Sequence, residues 1–206
     1  MGITERRERE REEVRQKILD AARELFATEG YEKVTMRRIA DAIEYSPTTI
    51  YHHFEDKDDL VNALCEDDFA QLLALFKGQL PPDDPVEWIR QLGNSYCRFG
   101  LENPNHYRFM FMTRAKFEKV PEASPSGQDS FGVLKMAVEA AIAGGRFRPG
   151  DPQLMAQVLW SSIHGAVALL ITMQPEHWPH GGASPSLVDE VVENGIRGFL
   201  AAPRKD

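Results

Sequence analysis

Apolar residues recur every three or four positions along most of this 206-residue chain, which is the spacing of one buried face on an α-helix. The chain shows no period-two alternation of the kind that indicates strands, and no motif repeats at a fixed interval. The pattern predicts an all-α fold of about nine helices. Their approximate limits are 14–29, 35–43, 47–53, 57–79, 86–101, 103–112, 129–143, 152–173 and 186–200.

Residues that favour helix ends sharpen several of these limits. Gly30 follows the first apolar pattern, where glycine commonly ends a helix. Thr35, Ser46 and Asp56 precede the next three patterns and can each accept a hydrogen bond from a free backbone N–H at a helix start. Pro47 then occupies the first position of the third helix, where its missing N–H is tolerated.

The third helix is too short and too polar to be explained by packing alone. Only Ile50 and Phe54 face inward, whereas Thr48, Thr49, Tyr51 and His52 have no core to enter. A short polar helix behind a short turn is typical of a helix-turn-helix, whose second helix enters the major groove. We therefore predict a DNA-binding domain over residues 1–56, followed by a second helical domain over 57–206.

Hydroxyl, imidazole and phenol groups can contact bases or phosphates, and helix N-termini can hold phosphates through their backbone N–H groups. Two cations, Arg37 and Arg38, lie beside such a terminus. The partner expected here is double-stranded DNA. The predicted DNA-contacting residues are Thr35, Arg37, Arg38, Tyr45, Ser46, Pro47, Thr48, Thr49, Tyr51, His52 and Lys57.

The charge balance limits how DNA could be bound. The formal net charge is −8, and residues 1–57 contain 11 Lys and Arg against 13 Asp and Glu. Binding must therefore depend on a few placed cations rather than on a broad positive surface. The Arg- and Glu-rich stretch 5–13 has two interpretations, a solvated helical extension with internal ion pairs or an arm that contacts phosphate.

Four pieces of residues 18–64 form a specific pattern: Ala22–Tyr31 (ARELFATEGY), Thr35 with Ile39-Ala40, Ser46 with Thr49–Phe54 (TIYHHF), and Lys57-x-x-Leu60. With this pattern, residues 18–64 resemble the DNA-binding domain of the TetR family of transcriptional regulators. The resemblance implies a homodimer that binds a near-palindromic operator and is released by a small molecule, with residues 57–206 as a helical effector-binding and dimerisation domain. The chain departs from the family where Glu44-Tyr45 replaces Gly-Val, and where Pro47 replaces a polar or basic residue.

The C-terminal half carries a second resemblance. Trp160, His164 and Gly165 are similar to the Trp/His-Gly signature ("WHG") of one TetR subclass, and Asn103–Phe111 fits the same subclass. The last two predicted helices are apolar on more than one side, which predicts a dimer interface between copies. Its predicted residues are Leu159, Ile163, Val167, Leu170, Val188, Val192, Ile196 and Phe199.

Aromatic and Met side chains are plentiful between the fourth and eighth helices. They could form ordinary core, or they could line a pocket for an apolar or amphipathic effector, because such side chains adapt to apolar ligands. We predict the pocket for the set as a whole. Its predicted residues are Phe69, Phe76, Tyr96, Phe99, Phe109, Met110, Phe131, Met136, Trp160 and His164.

Other classes of protein have less support. Residues 154–173 are about long enough to span a bilayer, but their polar residues and non-basic flanks favour a buried helix and no membrane contact. His106, His164, His177 and His180 lack metal-ligand spacing, so we expect no metal and no cofactor. No nucleophile elbow, phosphate-binding loop or dinucleotide motif indicates an enzyme.

Only two cysteines occur, Cys65 and Cys97, which favours a reduced, cytoplasmic protein without disulfides. The sequence therefore predicts a ligand-responsive transcriptional regulator, most readily a repressor, although an activator is also compatible. The alternative is a helical small-molecule-binding protein whose helix-turn-helix no longer functions. An operator-binding assay separates the two.

Overall fold

The computed structural model describes residues 2–79, 82–112, 129–179 and 186–202. Over these residues the fold is helical, which confirms the all-α prediction. One isolated antiparallel bridge, between Phe147 and Leu200, was not predicted. The α-helices are α1 (Ile3–Glu29), α2 (Met36–Ala42), α3 (Pro47–Tyr51), α4 (Lys57–Lys77), α5 (Pro85–Glu102), α6 (Pro104–Met112), α7 (Ser130–Ala143), α8 (Pro152–Thr172) and α9 (Leu187–Arg197), with a 3-10 helix at Pro175–His177.

The predicted helix ends are confirmed where a cap defines them. Gly30 ends α1 with a φ of 86°, and its N–H donates to the carbonyl of Phe26 at 3.2 Å. The Thr35 hydroxyl accepts from the backbone N–H of Arg38 at 3.1 Å, and Ser46 does the same for Thr49 at 3.2 Å. These hydrogen bonds satisfy donors that a helix start would otherwise leave unpaired.

The Arg- and Glu-rich stretch is the beginning of α1 rather than a separate arm. Residues 4–13 are exposed, and Arg6 pairs with Glu10 at 3.2 Å. Exposed pairs of this kind contribute little to stability, on the order of 0.3–0.5 kcal/mol. The helical part of the prediction is therefore confirmed, whereas contact with phosphate stays a prediction.

The chain forms two compact units, the first comprising Met1–Asp68 with Asn105–Val120 and the second Phe69–Pro104 with Pro121–Asp206. The first unit therefore extends beyond the domain limit expected at residue 56, because the first half of α4 and part of α6 complete its core. That core contains Ile18, Leu19, Leu25, Phe26, Ile39, Ile50, Phe54, Leu60, Leu64 and Phe109.

In the second unit, α5, α7, α8 and α9 pack around a core of aliphatic and aromatic residues. The helices approach closely where a glycine removes a side chain. A Cβ on Gly195 of α9 would lie 3.0 Å from Leu159 of α8, and one on Gly93 of α5 would lie 3.3 Å from Val192 of α9. These contacts fix which faces of α8 and α9 point inward.

Candidate DNA-contacting and effector sites

Helix α3 presents a polar outer face on an apolar anchor. Ile50 is completely buried and holds the helix to the core of the first unit. Thr48, Tyr51 and His52 are exposed, and Tyr51 retains 55% of its accessible surface. Because burial does not account for these three side chains, they are available for hydrogen bonds and apolar contacts with base edges.

Thr49 is less available than its neighbours. It is half-buried, and its hydroxyl lies 3.0 Å from the hydroxyl of the cap residue Ser46. Both side chains therefore already have a role in starting the helix. Their predicted DNA contacts remain predictions, as does that of Pro47, which is exposed at the first helical position.

The turn before α3 contains the departure expected from the sequence. Glu44 has a φ of 58° and is the one non-glycine residue with positive φ among the described residues. L-residues adopt this conformation at a cost of about 1–2 kcal/mol, which explains the preference for glycine there. Tyr45 is half-buried, and its N–H donates to the carbonyl of Ala40 at 3.0 Å.

The cations around α2 and α4 are not equally available to DNA. Arg37 is exposed, whereas the guanidinium of Arg38 pairs with Glu29 at 2.7 Å. The Lys57 ammonium donates to the carbonyl of Tyr31 and lies 3.8 Å from the centroid of the Tyr31 ring. Partial burial lowers the pKa of Lys57. A phosphate would have to compete with these contacts for Arg38 and Lys57.

Two cations of α1, Arg11 from the predicted arm and Arg15, which was not predicted as a site residue, lie near His53 and Phe54 after the end of α3. The guanidinium of Arg15 is 5.7 Å from the centroid of the Phe54 ring. Burial, Arg11 and Arg15 together lower the pKa of His53, since nearby positive charges disfavour its protonated form. The four-residue spacing of Arg11 and Arg15 places both on one face of α1, and this was the available signal in the sequence.

The second unit contains a hydrogen-bonded aromatic network at the predicted effector site. The Tyr96 hydroxyl lies 2.9 Å from Nδ1 of His164, and Nε1 of Trp160 donates to the Tyr96 oxygen at 3.2 Å. Phe131 lies edge-on to Trp160 with the ring centroids 6.4 Å apart. Burial lowers the pKa of His164, so the neutral imidazole can accept a hydrogen bond from the Tyr96 hydroxyl at Nδ1.

Four other residues assigned to the pocket have different surroundings. Phe109 is completely buried in the core of the first unit, where its ring stacks on Phe26, and Met110 is buried in the same unit. Phe69 and Met136 keep 39% and 40% of their surface exposed. The packing of Phe109 corrects that assignment, whereas the assignments of Met110, Phe69 and Met136 stay predictions. Phe76 and Phe99 are buried in the second unit.

The predicted dimer stripe is also corrected. Leu159, Ile163 and Val167 of α8 are buried within their own chain, and so are Val192, Ile196 and Phe199 near the C-terminus. Leu170 and Val188 are half-buried. These six buried residues cannot form a surface between two copies, because the helices of their own chain, α5, α7, α8 and α9, already cover them.

The exposed apolar face of α8 lies on the next stripe. Leu154, Val158 and Leu169 retain 58%, 43% and 47% of their surface. A Cβ on Gly165, in the same stripe, would meet no atom within 4 Å. By length and composition alone α8 could cross a membrane. Exposed Gln157, Ser161 and Ser162 interrupt its apolar surface.

Cysteine and metal chemistry have no support among the described residues. Burial raises the pKa of both Cys65 and Cys97 to about 12, so both thiols stay protonated near neutral pH. Over the described ranges no group of three or more His, Cys, Asp or Glu could hold a metal ion. His180 lies outside the described residues.

Comparison with known proteins supports both halves of this arrangement. Residues 18–64 match the sequence profile described as "Bacterial regulatory proteins, tetR family", and residues 89–194 match "Tetracyclin repressor-like, C-terminal domain". The second description does not specify the Trp/His-Gly subclass, which stays a prediction. Together the two matches cover most of both units.

Relatives are similar over different lengths. The transcriptional repressor AcnR of Corynebacterium efficiens is 37% identical over 195 residues, which cover 89% of this chain and 92% of that protein. The transcriptional repressor Rv1474c of Mycobacterium tuberculosis is 38% identical over 84 residues, covering 36% of this chain and 45% of the relative.

Solved structures agree in fold. A TetR-family regulator from Rhodococcus RHA1 superposes with a TM-score of 0.71 at 22% identity, covering 92% of this chain and 98% of that one. A TetR-family regulator from Marinobacter aquaeolei has a TM-score of 0.70 at 19% identity, covering 96% and 100%. With the profile over residues 89–194 and the nearly full-length relative, these findings show that the chain belongs to the TetR family of transcriptional regulators.

Proposed function

We propose that the protein is a homodimeric repressor that binds a near-palindromic operator through α3 and leaves it when a small apolar or amphipathic molecule binds in the second unit. The observation that carries this proposal is the polar outer face of α3, with Tyr51 more than half exposed beside a completely buried Ile50. A buried anchor and an exposed polar face are what a recognition helix requires. Its place of action is the cytoplasm, where DNA and reduced thiols occur together.

The exposed α8 stripe supports the dimer. Three large apolar side chains on one helical face cost free energy in water, and a second copy would cover them. Polar Gln157 and Ser161 at the margins of this stripe favour a protein partner over lipid, because a bilayer leaves their hydrogen-bonding groups unsatisfied. We assign the interface to Leu154, Val158, Gly165 and Leu169 in place of the buried stripe.

The effector proposal rests on the Tyr96, His164 and Trp160 network. These groups form a hydrogen-bonded polar region within otherwise apolar surroundings, which is typical of a site that orients a ligand. The ligand would bind one conformation of the regulator better than the other, and this difference in affinity would release the DNA. Thermal-shift and tryptophan-fluorescence screening of amphipathic compounds would test this proposal.

The decisive experiment is operator selection followed by affinity measurement. Random duplexes are selected on the full-length protein, and the enriched duplex is titrated by fluorescence anisotropy. The double variant Thr48→Ala/Tyr51→Ala should lose at least tenfold in operator affinity, about 1–3 kcal/mol for each base contact, while its melting temperature stays close to that of the parent. Thr49 is left unchanged because its hydroxyl contacts the helix cap.

Lys77→Ala is the matched control, since Lys77 is also exposed but lies at the end of α4. It should bind the selected duplex like the parent protein. Failure to enrich any duplex would instead support the alternative, a helical ligand-binding protein whose helix-turn-helix does not function. Equal operator affinity of the α3 variant and the parent would show that α3 is not the recognition helix.

A further inference from the structure

A charged cluster is buried in the first unit and involves none of the residues predicted to contact DNA. Arg23 of α1 is 4% exposed and Asp68 of α4 is completely buried. The Arg23 guanidinium contacts Oδ1 of Asp68 through Nε at 2.9 Å and Nη2 at 2.7 Å, and it also pairs with Asp20 and Asp67. Buried charges are costly unless they are paired, so this cluster fixes the positions of the helices that carry it.

Helix α6 contributes a third member to the cluster. Nδ1 of His106 lies 3.0 Å from the same oxygen of Asp68 that Arg23 contacts. The geometry at this nitrogen does not meet that of a hydrogen bond, so the contact with Asp68 is a close approach of two polar groups. The other oxygen of Asp68, Oδ2, is buried without a hydrogen-bond partner among the described residues. One carboxylate oxygen is therefore shared by α1 and α6.

The surroundings of α6 give this sharing a consequence. Phe109, one turn after His106, is completely buried, and its ring lies 5.6 Å from that of Phe26 at an interplanar angle of 14°. The same core holds Ile39 of α2 and Ile50 of α3. Along the chain, however, α6 directly follows α5 of the second unit. Phe109 and His106 therefore both attach α6 to the first unit, whose core also contains residues of α2 and α3.

We propose that His106, Asp68 and Arg23 act as positioning residues, which hold α1 and the helices packed on it in the orientation that binds the operator. This inference rests on the proposed operator binding. A buried ion pair has defined distances and directions, whereas an apolar contact such as that of Phe109 with Phe26 tolerates sliding. Loss of the His106 contact should therefore leave Asp68 with fewer contacts and allow the Arg23 guanidinium, which shares the same carboxylate oxygen, to change its position.

The test removes the α6 contact without disturbing the core. His106 keeps 21% of its side chain exposed, so His106→Ala should fold with little change in melting temperature. Its affinity for the selected operator should fall about tenfold. His106→Gln, whose polar amide can approach Asp68 over a similar reach, should recover most of that affinity. Glu10→Gln is the matched control, because it removes one partner of an exposed ion pair on α1.

A second measurement separates positioning from simple loss of stability. Operators whose half-sites are one base pair closer or farther apart are titrated against each variant. If the cluster sets the orientation of α1, His106→Ala should bind these spacing variants with less discrimination than the parent protein. Parent-like operator affinity and parent-like spacing discrimination in His106→Ala would overturn the proposal. Absence of operator binding by the parent protein would instead reject the proposed function.

Asp68→Asn provides an independent check if it folds. Its effect and that of His106→Ala should not add in the double variant, since both remove the same contact. Additive losses in operator affinity would overturn the proposal. Where Asp68→Asn does not fold, the outcome of the His106 variants decides.

Discussion

At the scale of single residues, Glu44 is held in a conformation that suits glycine. Its φ of 58° places the backbone in the left-handed region, in the turn immediately before α3. We expect Glu44→Gly to raise the free energy of unfolding by about 1 kcal/mol, less the entropy that glycine adds to the unfolded chain. Urea denaturation monitored by circular dichroism measures this change.

Glu44→Ala separates backbone strain from charge, because alanine removes the carboxylate but keeps the strained backbone. It should leave the free energy of unfolding nearly unchanged. If Ala and Gly stabilise the protein equally, then the carboxylate, and not the backbone, is the source of the cost.

His164 makes stability depend on pH in a defined direction. Burial lowers its pKa in the folded protein below the usual value of about 6.5. The unfolded chain therefore binds a proton at this position more readily than the folded chain does. The free energy of unfolding should fall as the pH drops below about 6.5, and this loss should level off once the pH passes the folded-state pKa.

His164→Asn provides the comparison, since the amide oxygen can accept the Tyr96 hydroxyl but does not titrate. Urea denaturation between about pH 8 and pH 5 should show a steeper loss for the parent protein than for the variant. The other histidines contribute equally to both curves. Parallel curves would mean that His164 is protonated as easily in the folded chain as in the unfolded one.

At the scale of helices, the outer stripe of α8 has the exposure that an interface needs. Val158 lies between Leu154 and Leu169 on this stripe and retains 43% of its surface. Val158→Arg would place two cations in the proposed twofold interface, because both copies carry the change. We expect the variant to elute as a monomer in size-exclusion chromatography with light scattering.

Ala140→Arg is the matched control, since Ala140 is exposed on α7. It should remain dimeric. A dimeric Val158→Arg variant would place the contact between copies on another face of the protein.

The helix limits could be predicted because caps are local. Thr35 and Ser46 bond to backbone N–H groups three residues away, so the sequence alone contains the whole interaction. The faces of the helices could not be predicted in the same way. Both Leu159 and Val158 are apolar, and only the packing of α8 against α9 decides that the first is buried and the second exposed.

The candidate site residues could also be predicted only where the signal is local. The outer face of α3 could be predicted, because a short helix anchored by a single buried residue, Ile50, exposes most of its other positions. Phe109 was assigned to the pocket by residue type, but its stacking partner Phe26 is distant in the sequence. Arg23 and Asp68 likewise give no local signal in the sequence, since their pairing joins α1 to α4.

At the scale of the whole molecule, the charge distribution predicts how operator affinity responds to salt. The net charge of −8 gives no general attraction to DNA. Among the cations predicted to contact DNA, Arg38 is paired with Glu29, and Lys57 is engaged by Tyr31, which leaves Arg37 exposed. Few counterions should therefore be released when the operator binds.

We expect log affinity against log salt concentration to have a slope on the order of −4 for the dimer, rather than about −10 as for a strongly basic repressor. Arg37→Gln should reduce the steepness by roughly 2, since each protomer loses one phosphate contact worth about 0.9. Arg38→Gln should reduce it less, because Glu29 already neutralises that charge. Equal effects of the two substitutions would show that Arg38 leaves Glu29 for phosphate in the complex. A slope of about −10 would instead mean that further cations contact DNA, and Arg11 and Arg15 would then be the first residues to substitute.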